Sequence, residues 1–152
     1  MQPDEGRVLW RGGDIHRVLD DYHAGMNYIG HLNGVKSGLT CLENLHVAAA
    51  LAGGGVAADP AEVLGKYGLK GHEDTYAHLL SSGQRRRLAL ARLAIRRAGV
   101  WILDEPFTSL DDKGRRFMAG EFRGHLDAGG VIVMTSHDEI NWQGIEPVRV
   151  GL

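Results

Sequence analysis

The sequence predicts an α/β fold in which helices cover a parallel β-sheet. Two mainly apolar runs, 100–103 and 131–135, are typical of strands that are buried on both faces. The segment between them, 112–128, is predicted to be a helix that ends at Gly129-Gly130. A strand, a helix and a second strand at this spacing form a βαβ unit, so the two strands lie parallel in one sheet.

Shorter elements are predicted in the first half of the chain. Residues 7–11 form an early strand before a glycine turn, and residues 27–30 form a second strand. The first helix is predicted at 42–52. Thr40 and Glu43, three residues apart, have the spacing of a capping box at its beginning.

Two more helices precede the βαβ unit. One is predicted at 61–67, where Asp59-Pro60 supplies an N-cap and a proline at the first helical position. The other, at 82–97, is amphipathic and stops at Gly99; its apolar face consists of Leu88, Ala91, Ala94 and Ile95.

Composition narrows the class of protein. The 152 residues, 43% hydrophobic and 24% charged, suit one soluble domain, and the net charge of −2 provides no basic field for nucleic acid. The single cysteine, Cys41, excludes an internal disulfide and a cysteine-based zinc site. Neither a signal peptide nor an apolar run of the ~18 residues that span a bilayer is found. A role at a membrane would therefore require docking to a partner.

Polar side chains follow both strands of the βαβ unit. Asp104-Glu105 come after the first, and Ser136-His137-Asp138 come after the second. Ligands of open α/β sheets bind beyond the carboxyl ends of the strands. One of the adjacent carboxylates can hold a metal ion, and the other can reach a water that attacks a phosphate. Solvated acids at a strand end are the alternative, but the preceding apolar run and the following Pro106 disfavour it.

The segment 80–84 opens the amphipathic helix. A helix N-terminus binds phosphate through its free N–H groups, and here Gly83 allows a close approach while Ser82 adds a hydroxyl. Taken alone, the segment is better explained by an N-cap serine before a surface helix. A single histidine such as His137 is likewise more often structural. The run 85–87, three arginines, is predicted to be a solvated helix face rather than an anion site.

Taken together and in this order, the motifs resemble those of ABC ATPase domains. Residues 80–84 are similar to the signature motif and 100–105 to the Walker B motif; Ser109, Leu110 and Asp111 are similar to the D-loop, and His137 to the switch histidine. The resemblance implies an incomplete P-loop NTPase fold in a single domain, 1–152. The Q-loop region and a helical signature subdomain would occupy about 27–97, and the part of the parallel-sheet core from Walker B to the switch histidine would occupy about 98–152.

The resemblance also implies roles for these residues. Asp104 would help to hold the Mg²⁺ of bound ATP, Glu105 would polarise the attacking water, and His137 would contact the terminal phosphate. Two such domains pair head to tail in this family. The signature residues would contact the nucleotide of the partner domain; they are Ser81, Ser82, Gly83 and Gln84.

The upstream half resembles the ATP-binding subunits of haem exporters in cytochrome c biogenesis. The similar residues there are 28–31, Gly34, Lys36, 39–40 and 43–45, and the later segments 84–93 and 101–107 fit the same subfamily. Most ABC domains have the Q-loop glutamine where His31 stands, and the pair Gly30-His31 is typical of this subfamily. This resemblance implies membrane subunits as partners, a peripheral location at the cytoplasmic face of the inner membrane, and ATP-driven haem export.

The phosphate-binding loop of such domains does not occur in these 152 residues. No Gly-x-x-x-x-Gly-Lys-Ser/Thr is present, because Gly65-Lys66 is followed by Tyr67 within a predicted helix. That loop cradles the phosphates and supplies a lysine and a magnesium ligand. We therefore expect an N-terminally truncated chain that is weakly stable and lacks ATPase activity by itself.

Three alternatives stay open from the sequence. The chain could serve another ABC transporter, or it could be a non-catalytic partner that offers its signature motif to an intact domain. Direct haem ligation is the third, and the eight scattered histidines without a Cys-x-x-Cys-His motif argue against it.

Overall fold

A parallel three-stranded sheet with helices on one face forms the centre of the protein. The computed structural model describes residues 6–51, 57–137, 147–148 and 150. In chain order the elements are β1 (Leu9–Trp10), β2 (Gly13–Asp14), α1 (Leu19–Gly25), β3 (Met26–Ile29), α2 (Cys41–Leu51), α3 (Pro60–Lys66), a 3₁₀ turn (Ala77–Leu79), α4 (Ser82–Ile95), β4 (Val100–Asp104), α5 (Asp112–Asp127) and β5 (Val131–Thr135).

The predicted helices are confirmed to within two residues, apart from Ala52, which lies outside the described residues. Both bonds of the capping box between Thr40 and Glu43 form, at 2.8 and 3.2 Å. The carboxylate of Asp59 accepts the N–H of Glu62 at the beginning of α3. These caps satisfy N–H groups that the helices leave without internal partners.

The region before β3 is more ordered than the sequence indicates. The early strand pairs with Gly13–Asp14 in a small antiparallel hairpin, and the short helix α1 follows. Trp10 packs edge-on against Tyr22 of α1, with ring centroids 5.5 Å apart. Because the helix has only seven residues and no buried side chain, its sequence carries no clear period.

The sheet has the order β3-β4-β5, and all neighbours are parallel. Ile29, Trp101 and Leu103 face the helices and are buried in a core that continues through α2 to α5. The core joins the two predicted subdomains, and their division stays a prediction. Among the described residues, no helix is long and apolar enough to cross a membrane.

The prediction that β5 is buried on both faces is wrong. Val131 and Val133 are 51% and 55% exposed, and they alternate with the half-buried Ile132 and Met134. β5 is an edge strand of this sheet, and none of the described helices covers the face that carries its valines. An apolar run indicates a strand, but the number of covered faces depends on the layers around it.

Asn44 organises the loop between β3 and α2. Its side-chain amide donates to the carbonyl oxygens of Lys36, Leu39 and Thr40, and its Oδ1 accepts the N–H of Lys36 at 2.8 Å. Asn44 is 6% exposed, so water cannot replace these bonds. Asn44 therefore holds the part of the loop, 36–40, that leads directly into α2.

Replacing Asn44 with alanine is expected to lower the free energy of unfolding by about 2–4 kcal/mol, because four partly buried hydrogen bonds to the loop backbone would be lost. Urea unfolding of the native protein measures this change. His46→Ala, at an exposed position of the same helix, is the control. Equal effects of the two substitutions would contradict the role of Asn44.

His125 near the end of α5 stacks on Trp101 of β4. Their ring centroids are 3.9 Å apart and their planes differ by 10°. Burial lowers the pKa of His125 below its ordinary value. The imidazole therefore resists protonation in the folded protein.

This lowered pKa makes stability depend on pH. The contribution of neutral His125 is fully present above the unfolded-state pKa of about 6.5 and is lost as the pH falls through the lower folded-state pKa. His125→Phe keeps an aromatic ring and removes the titration. Between pH 7.5 and pH 5, the wild type is expected to lose more unfolding free energy than His125→Phe, with His46→Gln as the control. Parallel pH profiles would contradict this prediction.

Candidate functional site

The candidate site lies at the edge of the sheet where the three parallel strands end. Asp104 and Thr135 are the last residues of β4 and β5 and are partners in the strand register. β3 ends at Ile29, which is the partner of Leu103, and the chain continues into His31. The shared direction of the strands therefore brings residues far apart in the sequence to one edge.

An open cleft of about 710 Å³ lies at this edge. It unites four residues that the sequence predicted: His31, Asp104, Glu105 and His137. It also contains three residues that were not predicted, namely Thr108, Arg115 and Thr135. Thr135 could have been found by aligning the ends of the two apolar runs, because equal positions in parallel strands are neighbours. Asp138 lies outside the described residues.

Thr135 connects the two adjacent carboxylates. Its hydroxyl donates to Oδ1 of Asp104 at 2.6 Å and accepts the backbone N–H of Glu105 at 3.1 Å. The hydroxyl therefore fixes the orientation of the Asp104 side chain while it anchors the backbone of Glu105. A short O–H···O⁻ bond of this kind is stronger than one between neutral groups.

Glu105 has an unusual backbone conformation. Its φ of 48° lies in the left-handed region, where a residue with a Cβ costs about 1–2 kcal/mol. The side chain is 19% exposed, and its Oε1 lies 3.5 Å from Nε2 of His137. His137 itself is almost fully exposed. The cleft therefore holds a constrained carboxylate next to an accessible imidazole, the types of group used for water activation and for contact with an anion.

Asp104 has the chemistry of a magnesium ligand. Magnesium is usually bound by one or two carboxylates and completed by phosphate oxygens and waters. Within the described ranges no cluster of three or more His, Cys, Asp or Glu side chains could hold a metal ion. One oriented carboxylate in an open cleft fits an ion that arrives with a phosphate ligand, rather than a resident metal centre.

The segment 81–84 lies outside the cleft lining. Ser81 caps α4 in a reciprocal capping box with Gln84, with bonds of 3.2 and 2.9 Å. Both Ser81 and Ser82 are exposed to solvent. Gln84 is further held by His72, at 3.1 Å between the two side-chain nitrogens. The cap predicted from the sequence forms, and the exposed serines remain accessible to a partner.

The residues 109–111 pack against this segment. A Cβ at Gly83 would lie 2.8 Å from the carbonyl oxygen of Ser109, so only glycine fits there. Asp111 forms an ion pair of 2.6 Å with Arg87 and caps α5 through the N–H of Gly114. The Gly114 N–H and Arg87 hold the pKa of Asp111 below its ordinary value. Leu110 is buried beneath them.

The prediction of a solvated arginine face is wrong for Arg86. Arg85 is exposed and Arg87 is half-buried, but Arg86 is only 3% exposed. A signal for this burial existed, because Arg86 precedes Leu90 and Leu93 by four and seven residues on one helix face. Because Arg86 is charged, the sequence analysis did not count it as part of the buried helix face.

Comparisons with known proteins show which family the chain resembles. A protein-family model described as ABC transporter matches residues 1–108. The cytochrome c biogenesis ATP-binding export protein CcmA of Nitrosomonas europaea is 46% identical over 139 residues, which are 91% of this chain and 65% of that protein. The CcmA proteins of Nitrosococcus oceani and Escherichia coli are 46% and 44% identical over 93% and 92% of the chain. The chain spans just under two thirds of the length of these relatives.

Solved structures agree with the fold. The ATP-binding subunit of an ABC transporter superposes with a TM-score of 0.76 at 19% identity, over 90% of this chain and 59% of the other. A dimeric ATP-binding cassette bound to ADP and Pi superposes with a TM-score of 0.74 at 21% identity, over 91% and 65%. Together with the family match, these structures confirm the predicted α/β fold with a parallel sheet.

Proposed function

The chain belongs to the ABC transporter family, and we propose that it is the ATP-binding and ATP-hydrolysing subunit of a transporter that exports haem for the biogenesis of c-type cytochromes. The observation that carries the proposal is the 44–46% identity to CcmA proteins over more than nine-tenths of the chain. The cleft supports it with the carboxylates and imidazole that phosphoryl transfer to water uses.

The ligands of the site would be ATP and Mg²⁺. Asp104 would hold the ion, directly or through water, since Thr135 already orients its carboxylate. Magnesium supplies charge neutralisation at the phosphates when it is bound. The Thr135 hydroxyl binds the side chain of Asp104 but only the backbone of Glu105. The Asp104 carboxylate would therefore be fixed for the ion, while the Glu105 carboxylate stays available for the water.

Glu105 would orient and polarise the water that attacks the terminal phosphate. The left-handed backbone conformation at Glu105 turns its side chain away from the direction of the Asp104 side chain, so the two adjacent carboxylates would have different roles. His137, within 3.5 Å of the Glu105 carboxylate, would contact the phosphate from the solvent side of the cleft. His31, at the Q-loop position, would line the same cleft from the loop after β3.

The residues Ser81, Ser82, Gly83 and Gln84, of which the two serines are exposed, would contact the nucleotide of a second ATPase domain in a head-to-tail pair. The N-terminus of α4 offers N–H groups and a positive dipole end to that phosphate. The tight contact of Gly83 with Ser109 would transmit the approach of the partner to residues 109–111.

Membrane subunits are the proposed partners of this ATPase pair. The subunit would lie peripherally at the cytoplasmic face of the inner membrane, with the loop at His31 near the contact. The resemblance to the export proteins supports this placement.

Deleting the gene and staining covalently bound haem in c-type cytochromes would test the proposed cargo. We expect loss of these cytochromes, recovery with the wild-type gene, and no recovery with a Glu105→Gln gene. Normal c-type cytochromes in the deletion strain would reject haem export and leave an ABC ATPase for another cargo.

A further inference from the structure

Arg86 of α4 is a buried guanidinium whose hydrogen bonds are all matched. Arginine has five N–H donors in a rigid fork. In this structure Nε donates to the carbonyl of Pro106, Nη1 to the carbonyl of Gly30 and to Oδ1 of Asn33, and Nη2 to the carbonyls of Asp104 and Glu105. The bonds range from 2.6 to 3.2 Å.

These acceptors belong to the two loops that build the cleft. Three are consecutive carbonyls at the end of β4, and two lie in the loop after β3 that carries His31. All five are neutral oxygens, so Arg86 acts as a template for backbone shape and not as one half of an ion pair. The shortest bond, 2.6 Å, goes to Glu105.

Glu105 is also the residue with the strained backbone. Its φ of 48° lies in the left-handed region, which is unfavourable for a residue with a Cβ, so surrounding groups have to maintain this conformation. Thr135 holds the N–H of Glu105, and Arg86 holds its carbonyl together with the carbonyls on either side. Among the residues described, Arg86 is the side chain that bonds all three consecutive carbonyls of this turn.

We propose that Arg86 is a positioning residue that maintains the left-handed turn at Glu105 and thereby aims the Glu105 carboxylate into the cleft. The proposal rests on the hydrolytic role proposed for Glu105. It adds a residue that touches neither nucleotide nor water and that acts through the backbone. Lysine cannot replace it, since a single ammonium with three donors cannot reach five fixed oxygens.

The first test is steady-state ATP hydrolysis by the native transporter complex with Arg86→Lys and Arg86→Gln. We expect kcat to fall about 10- to 100-fold with little change in KM for ATP, because a small displacement of a catalytic group slows chemistry without removing binding contacts. Arg85→Lys and Arg85→Gln, at the exposed neighbouring position, are matched controls that should keep the wild-type kcat. A rise in KM at unchanged kcat would overturn the proposal.

The second test does not depend on hydrolysis. The amides of Glu105 and Thr108 bond to Thr135 and to the carbonyl of Glu105, so they report the turn. Their hydrogen exchange in the native complex should accelerate at least tenfold in Arg86→Lys, while exchange in α3 stays unchanged. Adding Glu105→Gly should restore much of the protection, since glycine adopts positive φ freely, and Thr108→Gly should not.

The outcomes separate the two proposals. If the wild-type transporter complex does not hydrolyse ATP, the proposed function fails. Faster exchange confined to the turn and reversed by Glu105→Gly would still show that Arg86 maintains the turn. Uniform acceleration across the protein without rescue by Glu105→Gly would reduce Arg86 to a general stabilising residue and overturn the inference. If Arg86→Gln does not fold, Arg86→Lys with and without Glu105→Gly decides the question.

Discussion

Glu105→Gln is expected to reduce ATP hydrolysis by the native transporter complex about 10²- to 10⁴-fold, the range for removal of a general base. The amide has the shape of the carboxylate but cannot accept a proton from the attacking water. The backbone bonds of residue 105 to Thr135 and Arg86 are independent of the side chain, so the turn should persist. Nucleotide affinity should therefore remain near the wild-type value.

Phosphate release and equilibrium nucleotide binding, measured on the same preparations, check this prediction. Glu62→Gln makes the same chemical change at an exposed position of α3 and serves as the control. Hydrolysis by Glu105→Gln at the wild-type rate would remove Glu105 from the proposed mechanism. A parallel loss of nucleotide binding would show instead that the carboxylate shapes the binding site.

Phe122→Ala is expected to lower the free energy of unfolding by about 3–5 kcal/mol, as for other buried phenylalanines. Phe122 is fully buried on α5 and packs edge-on against Phe107, with ring centroids 5.4 Å apart, and against Trp101 at 6.1 Å. Phe107 follows directly after the Glu105-Pro106 turn. The ring of Phe122 therefore supports the sheet beneath the cleft, and its removal leaves a cavity there.

Chemical denaturation of the native protein measures this loss. Phe122→Leu fills most of the volume and should cost less, about 1–1.5 kcal/mol. Equal losses for alanine and leucine would show that edge-on ring contacts, rather than filled volume, dominate at this position. If Phe122→Ala lowers the free energy of unfolding by less than about 1 kcal/mol, Phe122 does not contribute to the structural core as proposed.

Several features were predictable because their causes are local. The helix caps at Thr40, Asp59 and Ser81 form between residues three positions apart, so their chemistry is visible in the sequence. The strand β4 was predictable from its apolar run, and the end of α5 was predictable from the glycines that follow it. The placement of Asp104 and Glu105 at a strand end was predictable for the same reason.

Other features depend on contacts between distant segments. The charge of Arg86 favours a solvated position by itself, and only the five oxygens from the loops after β3 and β4 make its burial favourable. Thr135 lies next to Asp104 in the cleft because β5 pairs with β4 in the register that places these two residues side by side. Neither partner set lies within helical or strand spacing of the residue concerned.

The sequence alone was enough to predict β1, β3, β4, β5, the helices α2 to α5, the caps of these helices and the order of motifs typical of an ABC domain, whereas β2 and α1 were not predicted. Each predicted feature depends on residues within one element or on their order along the chain. Only the folded chain brings His31, Asp104, Glu105 and His137 into one cleft, exposes the valines of β5 and surrounds Arg86 with carbonyl oxygens of the turn at Glu105. The physical reason is that burial and hydrogen-bond satisfaction are set by neighbours in space, which local periodicity does not encode.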